Sequence, residues 1–184
     1  MAHVINYKWA AHKLVYDFIT HYMPISGRDF ARIEKYWILR SFPRRSRITD
    51  EGQTDDYFNI IISGFTRKFA LAEKKEITRQ LAMEGDPVFA EVSFITGQPS
   101  RVIIETLEDT ELISIHKFYV KKLFQELPQM EKLGRLVLTD MFIRKDRWDY
   151  NNLSTTVRER FLDYMGQNPH VLQRVPQKYI ASYL

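Results

Sequence analysis

A series of short, strand-like segments between residues 41 and 115 constrains the fold of this chain more than any other feature. The segments are rich in β-branched and aromatic residues, and glycine, proline and acidic clusters separate them. They cover residues 57–62, 65–71, 76–83, 101–107 and 111–115. The first two are expected to form a hairpin around Gly64, and the last two a further pair around Asp109. Short strands at this spacing predict an antiparallel roll or sandwich of about 75 residues.

Helical periodicity precedes the strand region. Residues 7–23 predict one helix, which Pro24 ends. Ser26 is then a suitable N-cap, with an acidic residue three positions later. The second helix is expected to carry Phe30, Ile33, Trp37 and Ile38 on one face. These aromatic residues favour two helices that pack on the domain that follows.

Helical patterns also follow the strand region. Residues 117–127 predict a short helix, and residues 129–150 predict a longer one. Residues 154–167 form a further predicted helix, and a short link at residues 170–175 leads into the last one, residues 176–184. The chain is therefore predicted to be an α+β protein in which helices flank an antiparallel roll.

The longer helix has the pattern of an intersubunit seam. Apolar residues recur at intervals that alternate between three and four over its first half, namely Met130, Leu133, Val137 and Met141. This spacing is typical of helices that pair in a dimer, and it predicts a homodimer. The same pattern also fits a helix that packs on its own domain, and the sequence leaves both interpretations open.

The composition excludes several kinds of chemistry. The chain has no cysteine, which excludes disulfides, Fe–S clusters and thiolate zinc sites. His116 and His170 are isolated, so neither haem nor another metal is expected. We find no Walker loop, GxSxG or HExxH motif, and no enzyme activity is expected. The sequence shows no secretory signal and no apolar stretch of membrane-spanning length, so we expect a cytoplasmic protein without a membrane partner.

The order of the elements and several local sequences resemble the Crp/Fnr transcription regulators. Residues 50–53 resemble the xEGE turn of that family, residues 57–65 its YFIxxG strand and residues 84–86 its xGD hairpin. Residues 104–115 resemble the strand pair that follows the ligand cassette, and residues 174–184 resemble the RVPQKxIASYL helix of its winged helix-turn-helix.

The resemblance implies a four-part organisation. Residues 1–40 would be N-terminal helices, and residues 41–127 a cyclic-nucleotide-binding-like jelly roll with its short helix. Residues 128–152 would be the long dimerisation helix. Residues 153–184 would begin a winged helix-turn-helix that is incomplete.

The resemblance also places a phosphate-binding cassette at residues 89–101, with Glu91, Ser100 and Arg101 as its effector-binding residues. In the family, a Gly-Glu pair contacts the ribose and an Arg-Ser pair clamps the phosphate. Here Ala90 replaces the glycine, and Ser100 precedes Arg101. A shift of one residue on an extended segment sends a side chain to the opposite face. We therefore predict weak or absent affinity for cyclic AMP, with Phe89 and Phe94 in the space of the purine or ribose, and leave the effector unidentified.

For DNA, the resemblance implies that Arg174, Gln177 and Lys178 lie near the duplex. A helix-turn-helix reads bases with its second helix, and the sequence ends within the first, on Tyr183 and Leu184, where that helix is expected to have nothing to pack on. We expect a longer native chain. The predicted function is a DNA-binding regulator whose roll senses a small effector or is independent of ligand. The alternative is a stand-alone sensor or adaptor that acts on a protein partner without DNA.

Overall fold

A computed structural model describes residues 2–73 and 75–184 of the chain, which form two antiparallel sheets and a set of flanking helices. The strands are β1 (Trp37–Phe42), β2 (Arg47–Thr49), β3 (Tyr57–Ser63), β4 (Thr66–Ala72), β5 (Lys75–Ala82), β6 (Pro87–Val88), β7 (Ile103–Thr106) and β8 (Thr110–His116). The helices are α1 (Ala2–Tyr22), α2 (Gly27–Glu34), α3 (Glu91–Thr96), α4 (Lys117–Glu126), α5 (Pro128–Ser154), α6 (Val157–Gln167), α7 (Val171–Arg174) and α8 (Gln177–Tyr183).

The strands form two four-stranded sheets, and this arrangement corrects the predicted pairings. One sheet has the order β1-β8-β3-β6 and the other the order β2-β7-β4-β5. The predicted hairpin around Gly64 is wrong, because β3 pairs with β8 and β6 whereas β4 pairs with β5 and β7. The predicted pairing of residues 101–107 with residues 111–115 is wrong for the same reason. At both places the chain turns from one sheet into the other.

Three apolar clusters hold these layers together. Between the sheets, residues of both sheets meet around Ile61, Ile104 and Leu112. The outer face of the first sheet packs on α1, α2, α4 and α5. The outer face of the second sheet packs on the last helices through Leu81, Val171 and Ile180. The predicted α+β roll with flanking helices is therefore confirmed.

The N-terminal region contains one confirmed prediction and one that is wrong. Ser26 caps α2, since its Oγ accepts a hydrogen bond from the Asp29 N–H at 3.1 Å. The helix ends at Glu34, however, and Trp37 and Ile38 lie in β1, where they pair with Ile115 and Ser114. Pairing with β8 satisfies the backbone of residues whose bulky or β-branched side chains favour a strand over a helix. The roll thus begins before residue 41.

The C-terminal helices fold back onto the roll. A capping box between Thr156 and Glu159 begins α6, and the predicted link includes the short helix α7. Helix α8 packs against β5, and Tyr183 stacks on Trp148 with ring centroids 5.9 Å apart. The expectation that this last helix has nothing to pack on is therefore wrong. None of the described helices is long and apolar enough to cross a membrane.

Candidate functional site

Asp55, in the loop between β2 and β3, fixes the start of the cassette. Its Oδ2 accepts a hydrogen bond from the Ala90 N–H at 2.7 Å, and its own N–H donates to Ser93 Oγ at 2.9 Å. Burial raises the pKa of Asp55 above its ordinary value, while the backbone hydrogen bonds from Ala90 and Tyr57 lower it. The cassette is thus positioned by the protein itself. Sequence reasoning did not find Asp55, because its partners are 35 and 38 residues away.

The ribose end of the cassette is occupied by a lysine from β4. Lys68 Nζ forms an ion pair with Glu91 and donates a second hydrogen bond to the Phe89 carbonyl at 3.2 Å. The Lys68 side chain is only 8% exposed, whereas that of Glu91 is 36% exposed. A buried ammonium requires such partners, because removing it from water without them is costly. Glu91 therefore neutralises a charge of its own chain.

The phosphate end of the cassette is also satisfied internally. Ser100 Oγ donates to the Val102 carbonyl at 2.7 Å and accepts from the Val102 N–H at 3.1 Å. The Ser100 N–H donates to the Gln53 carbonyl at 2.8 Å. Arg101 is exposed, and among the described residues it forms no ion pair with the cassette. Ser100 thus bonds within its own segment, and the effector site that the resemblance assigns to Glu91, Ser100 and Arg101 stays a prediction.

Aromatic rings fill the space next to the cassette. Phe89 is 2% exposed, and its ring centroid lies 4.9 Å from that of Phe58 and 5.3 Å from that of Phe94. Phe58 in turn contacts Phe18 of α1, with centroids 5.6 Å apart. These contacts place Phe89 beside the cluster that joins the first sheet to α1. That Phe89 and Phe94 take the space of a purine or ribose stays a prediction.

The residues predicted to form a dimer seam lie instead in the chain's own core. Met130, Leu133 and Val137 are between 6% and 8% exposed. They pack in one cluster with residues of α1 and α4, and Met141 packs against the same cluster. This burial corrects the assignment of the seam for Met130, Leu133 and Val137, which have little free surface to offer a second chain, whereas Met141 is only partly buried.

A different face of α5 is exposed. Leu138 is 44% exposed and Phe142 69% exposed. Together with Phe124 and Gly134 they line a shallow groove of about 470 Å³. A Cβ at Gly134 would lie 2.7 Å from Phe124 Cζ, so the glycine allows α4 and α5 to pack closely.

Arg174, predicted to lie near DNA, is bound to the roll. Its guanidinium donates two hydrogen bonds to Glu84, both 2.8 Å long, and further ones to Glu108 at 2.7–3.2 Å. Arg174 lowers the pKa of Glu84, and the two carboxylates raise the pKa of Arg174. Gln177 and Lys178 are exposed. The prediction that Arg174 faces DNA is therefore wrong for this conformation, because two acids of the roll already bind its charge.

A comparison with protein families agrees with this geometry. The sequence model of the cyclic nucleotide-binding domain matches residues 39–126, which include most of the strands and α4. The match supports the cyclic nucleotide-binding fold of this part of the chain. No curated protein sequence matches the chain.

Several solved structures share the fold at low sequence identity. A cyclic nucleotide-binding domain from Methylobacillus flagellatus KT has a TM-score of 0.68 at 16% identity, over 79% of this chain and 84% of its own. The catabolite activator protein of Thermus thermophilus has a TM-score of 0.61 at 21% identity, over 72% of this chain and 62% of its own. The c-di-GMP-responsive global regulator CLP of Xanthomonas campestris has a TM-score of 0.59 at 20% identity, over 83% of this chain and 74% of its own.

Proposed function

We propose that this chain is the sensory and dimerisation part of a Crp/Fnr-type transcription regulator. The observation that carries the proposal is the arrangement of elements after the roll. The 27-residue helix α5 follows α4 after the extended residue Leu127, and the short helices α6–α8 come next. The likeness to two proteins that are named an activator and a global regulator supports this assignment.

For the effector, we propose that the roll responds to a small molecule other than a cyclic nucleotide, or acts without a ligand. Lys68 neutralises Glu91, Ser100 bonds to Val102, and Phe89 fills the adjacent space. A cyclic nucleotide that used Glu91 to bind its ribose would first have to compete with Lys68 for that carboxylate.

A thermal-shift titration with cyclic AMP, cyclic GMP and cyclic di-GMP tests this proposal. A ligand at 100 times its dissociation constant stabilises a fold by about 2.7 kcal/mol, which raises the unfolding midpoint of a chain of this size by about 5–10 °C. We expect no shift with cyclic AMP or cyclic GMP up to millimolar concentration. A saturable shift that disappears in Arg101→Ala would contradict the proposal.

For the dimer, we propose that Leu138 and Phe142 of α5 contact the same residues of a second copy. They are exposed and apolar, and they lie next to the groove formed with Phe124 and Gly134. A two-fold dimer buries one patch against itself, so an exposed apolar face on a long helix is a suitable element for it.

Sedimentation equilibrium of the wild-type chain and of a Leu138→Glu, Phe142→Glu double variant tests the dimer. We expect a dimer for the wild type and a monomer for the double variant. Val92→Glu is the matched control, because Val92 is 68% exposed on α3 and away from α5. A wild-type mass that stays monomeric at high micromolar concentration would refute the interface.

An adaptor that binds a protein partner without DNA remains the second candidate. An exposed aromatic surface favours it: Ile38, Phe118 and Tyr119 are 46%, 62% and 37% exposed and line a groove of about 330 Å³. Exposed apolar patches of this kind mark interaction surfaces. Selection of random duplex DNA with the full-length protein separates the candidates. Enrichment of a palindromic site supports the regulator, and no enrichment supports the adaptor.

A further inference from the structure

The inner face of β4 contacts the cassette through Lys68. In a strand, successive side chains point to opposite faces. Lys68 lies opposite Ile104 of β7, a member of the cluster between the two sheets. From there its Nζ reaches Glu91 and the Phe89 carbonyl. The position of β4 therefore depends on the cassette.

The outer face of β4 contacts α8 through the preceding residue. Arg67 is 2% exposed, and its guanidinium carbon lies 3.9 Å from the ring centroid of Phe69 and 3.8 Å from that of Tyr179. The guanidinium also donates to Glu76 at 2.6 Å and to Glu105 at 3.2 Å. Arginine stacked between two rings and bonded to two carboxylates has little freedom to move. Tyr179 of α8 thus covers one side of the buried Arg67 guanidinium.

A bulge in β5 provides a second contact with α8. Lys68 pairs with Gln80 whereas Phe69 pairs with Thr78, so the ladder is irregular at this point. The Thr78 N–H donates to Ser182 Oγ at 2.9 Å, and Ser182 Oγ donates to the Glu76 carbonyl at 3.0 Å. The Thr78 amide is therefore protected only while α8 is docked, which makes it a direct probe of docking.

We propose that β4 couples the state of the cassette to the docking of α8. Lys68 and Arg67 share one peptide unit, so loss of the Lys68–Glu91 pair displaces the backbone that positions Arg67 between Phe69 and Tyr179. Tightly packed interiors transmit such displacements, and the coupling requires α8 to exist in two states, docked and released. The proposal rests on the proposed function only where it treats the cassette as the element that responds to an effector.

Amide hydrogen exchange of the full chain, followed by NMR without DNA or ligand, tests the coupling. In Glu91→Gln we expect the exchange of the Thr78 amide to accelerate at least tenfold more than that of the β8 amides, which report the loss of global stability. Glu111→Gln is the matched control, because this carboxylate lies on β8 and bonds to Ser41. A Thr78 rate that rises no more than the β8 rates in a folded Glu91→Gln would overturn the proposal.

A reciprocal variant decides the case in which Glu91→Gln destabilises the whole fold. Coupling between two sites is equal in both directions, so Tyr179→Leu should accelerate exchange of the Phe94 and Gly97 amides, which are bonded within the cassette. Ser182→Ala should accelerate only Thr78. Unchanged Phe94 and Gly97 rates in Tyr179→Leu would overturn the coupling. Failure to dimerise or to select DNA would overturn the proposed function and leave these exchange rates unaffected.

Discussion

Replacing Arg174 with glutamine should weaken the attachment of the C-terminal helices to the roll. The resulting loss of stability should depend on pH. The guanidinium is 26% exposed and joins α7 to Glu84 and Glu108, which follow β5 and β7. Hydrogen bonds to charged groups contribute about 1.5–3 kcal/mol when shielded, and exposed ion pairs about 0.2–1 kcal/mol. For this partly exposed network we expect Arg174→Gln to cost about 2 kcal/mol at pH 7, or about 4–8 °C in the unfolding midpoint.

The pH dependence of this loss follows from Glu84. Its pKa in the folded chain is lowered below the ordinary value of 4.5, and the Arg174 hydrogen bonds are the largest cause. A carboxylate with a depressed folded pKa stabilises the fold above its unfolded pKa, and that stabilisation disappears as the pH falls through the folded pKa. The difference between wild type and variant should therefore be full at pH 7 and should shrink below pH 4.5.

Urea unfolding, followed by circular dichroism at pH values from 7 to 3, measures this difference. Acids that do not contact Arg174 have the same surroundings in both proteins, so their contributions cancel. Arg158→Gln is the matched control, since Arg158 is exposed on α6, and it should change stability by less than about 0.5 kcal/mol. A loss for Arg174→Gln below that value at pH 7, or a loss that is the same at pH 7 and pH 3, would refute this reasoning.

Changes at three further sites have expected effects on urea unfolding. Gly64→Ala should cost at least about 3 kcal/mol, because φ is +105° and the new Cβ would lie 2.7 Å from a backbone carbonyl; Gly166→Ala, with open space around it, should not destabilise the fold. Glu91→Gln should cost about 2 kcal/mol, since it leaves a buried ammonium without its anion, whereas Lys68→Met should cost less than about 1 kcal/mol because Glu91 regains water. Ser26→Ala should cost about 1 kcal/mol through loss of the α2 cap. A larger loss of stability in Lys68→Met than in Glu91→Gln would contradict the assignment of Glu91 as the anion that neutralises the buried Lys68.

Local sequence patterns predicted the elements of the fold well and their partners poorly. Residues 57–62 and 76–82 lie in strands as predicted, because β-branched runs between turns favour extended backbone. Turn signals around Gly64 marked a real turn, but they carry no information on which strands pair across it. Pairing depends on contacts between residues distant in sequence, such as Ile60 with Ile113. Trp37 and Ile38 show the same limit, since only their pairing with β8 determines that they form a strand.

The candidate site shows why a motif predicts a position more reliably than a role. The resemblance located the cassette, yet Asp55 and Lys68, which anchor and neutralise it, come from distant segments and belong to no local pattern.

The predicted dimer seam on α5 illustrates a related ambiguity. A repeat of three and four residues identifies a buried face of α5, but it does not tell whether α1 or a second chain buries it. Val137 faces the chain's own core, and Phe142 provides the free face.

Docking of the C-terminal helices and phosphate binding by Arg174 exclude each other. A DNA phosphate could bind this guanidinium only by displacing Glu84 and Glu108, so the contact would release α7 from the roll. Because binding and release are then linked, any change that loosens the roll would favour DNA contact by the same factor. Arg67 also opposes the release of these helices, since its stack on Tyr179 holds α8 on the outer face of β4. Gln177 and Lys178 are exposed and lie outside the network of Arg174 with Glu84 and Glu108, so this exclusion does not apply to them.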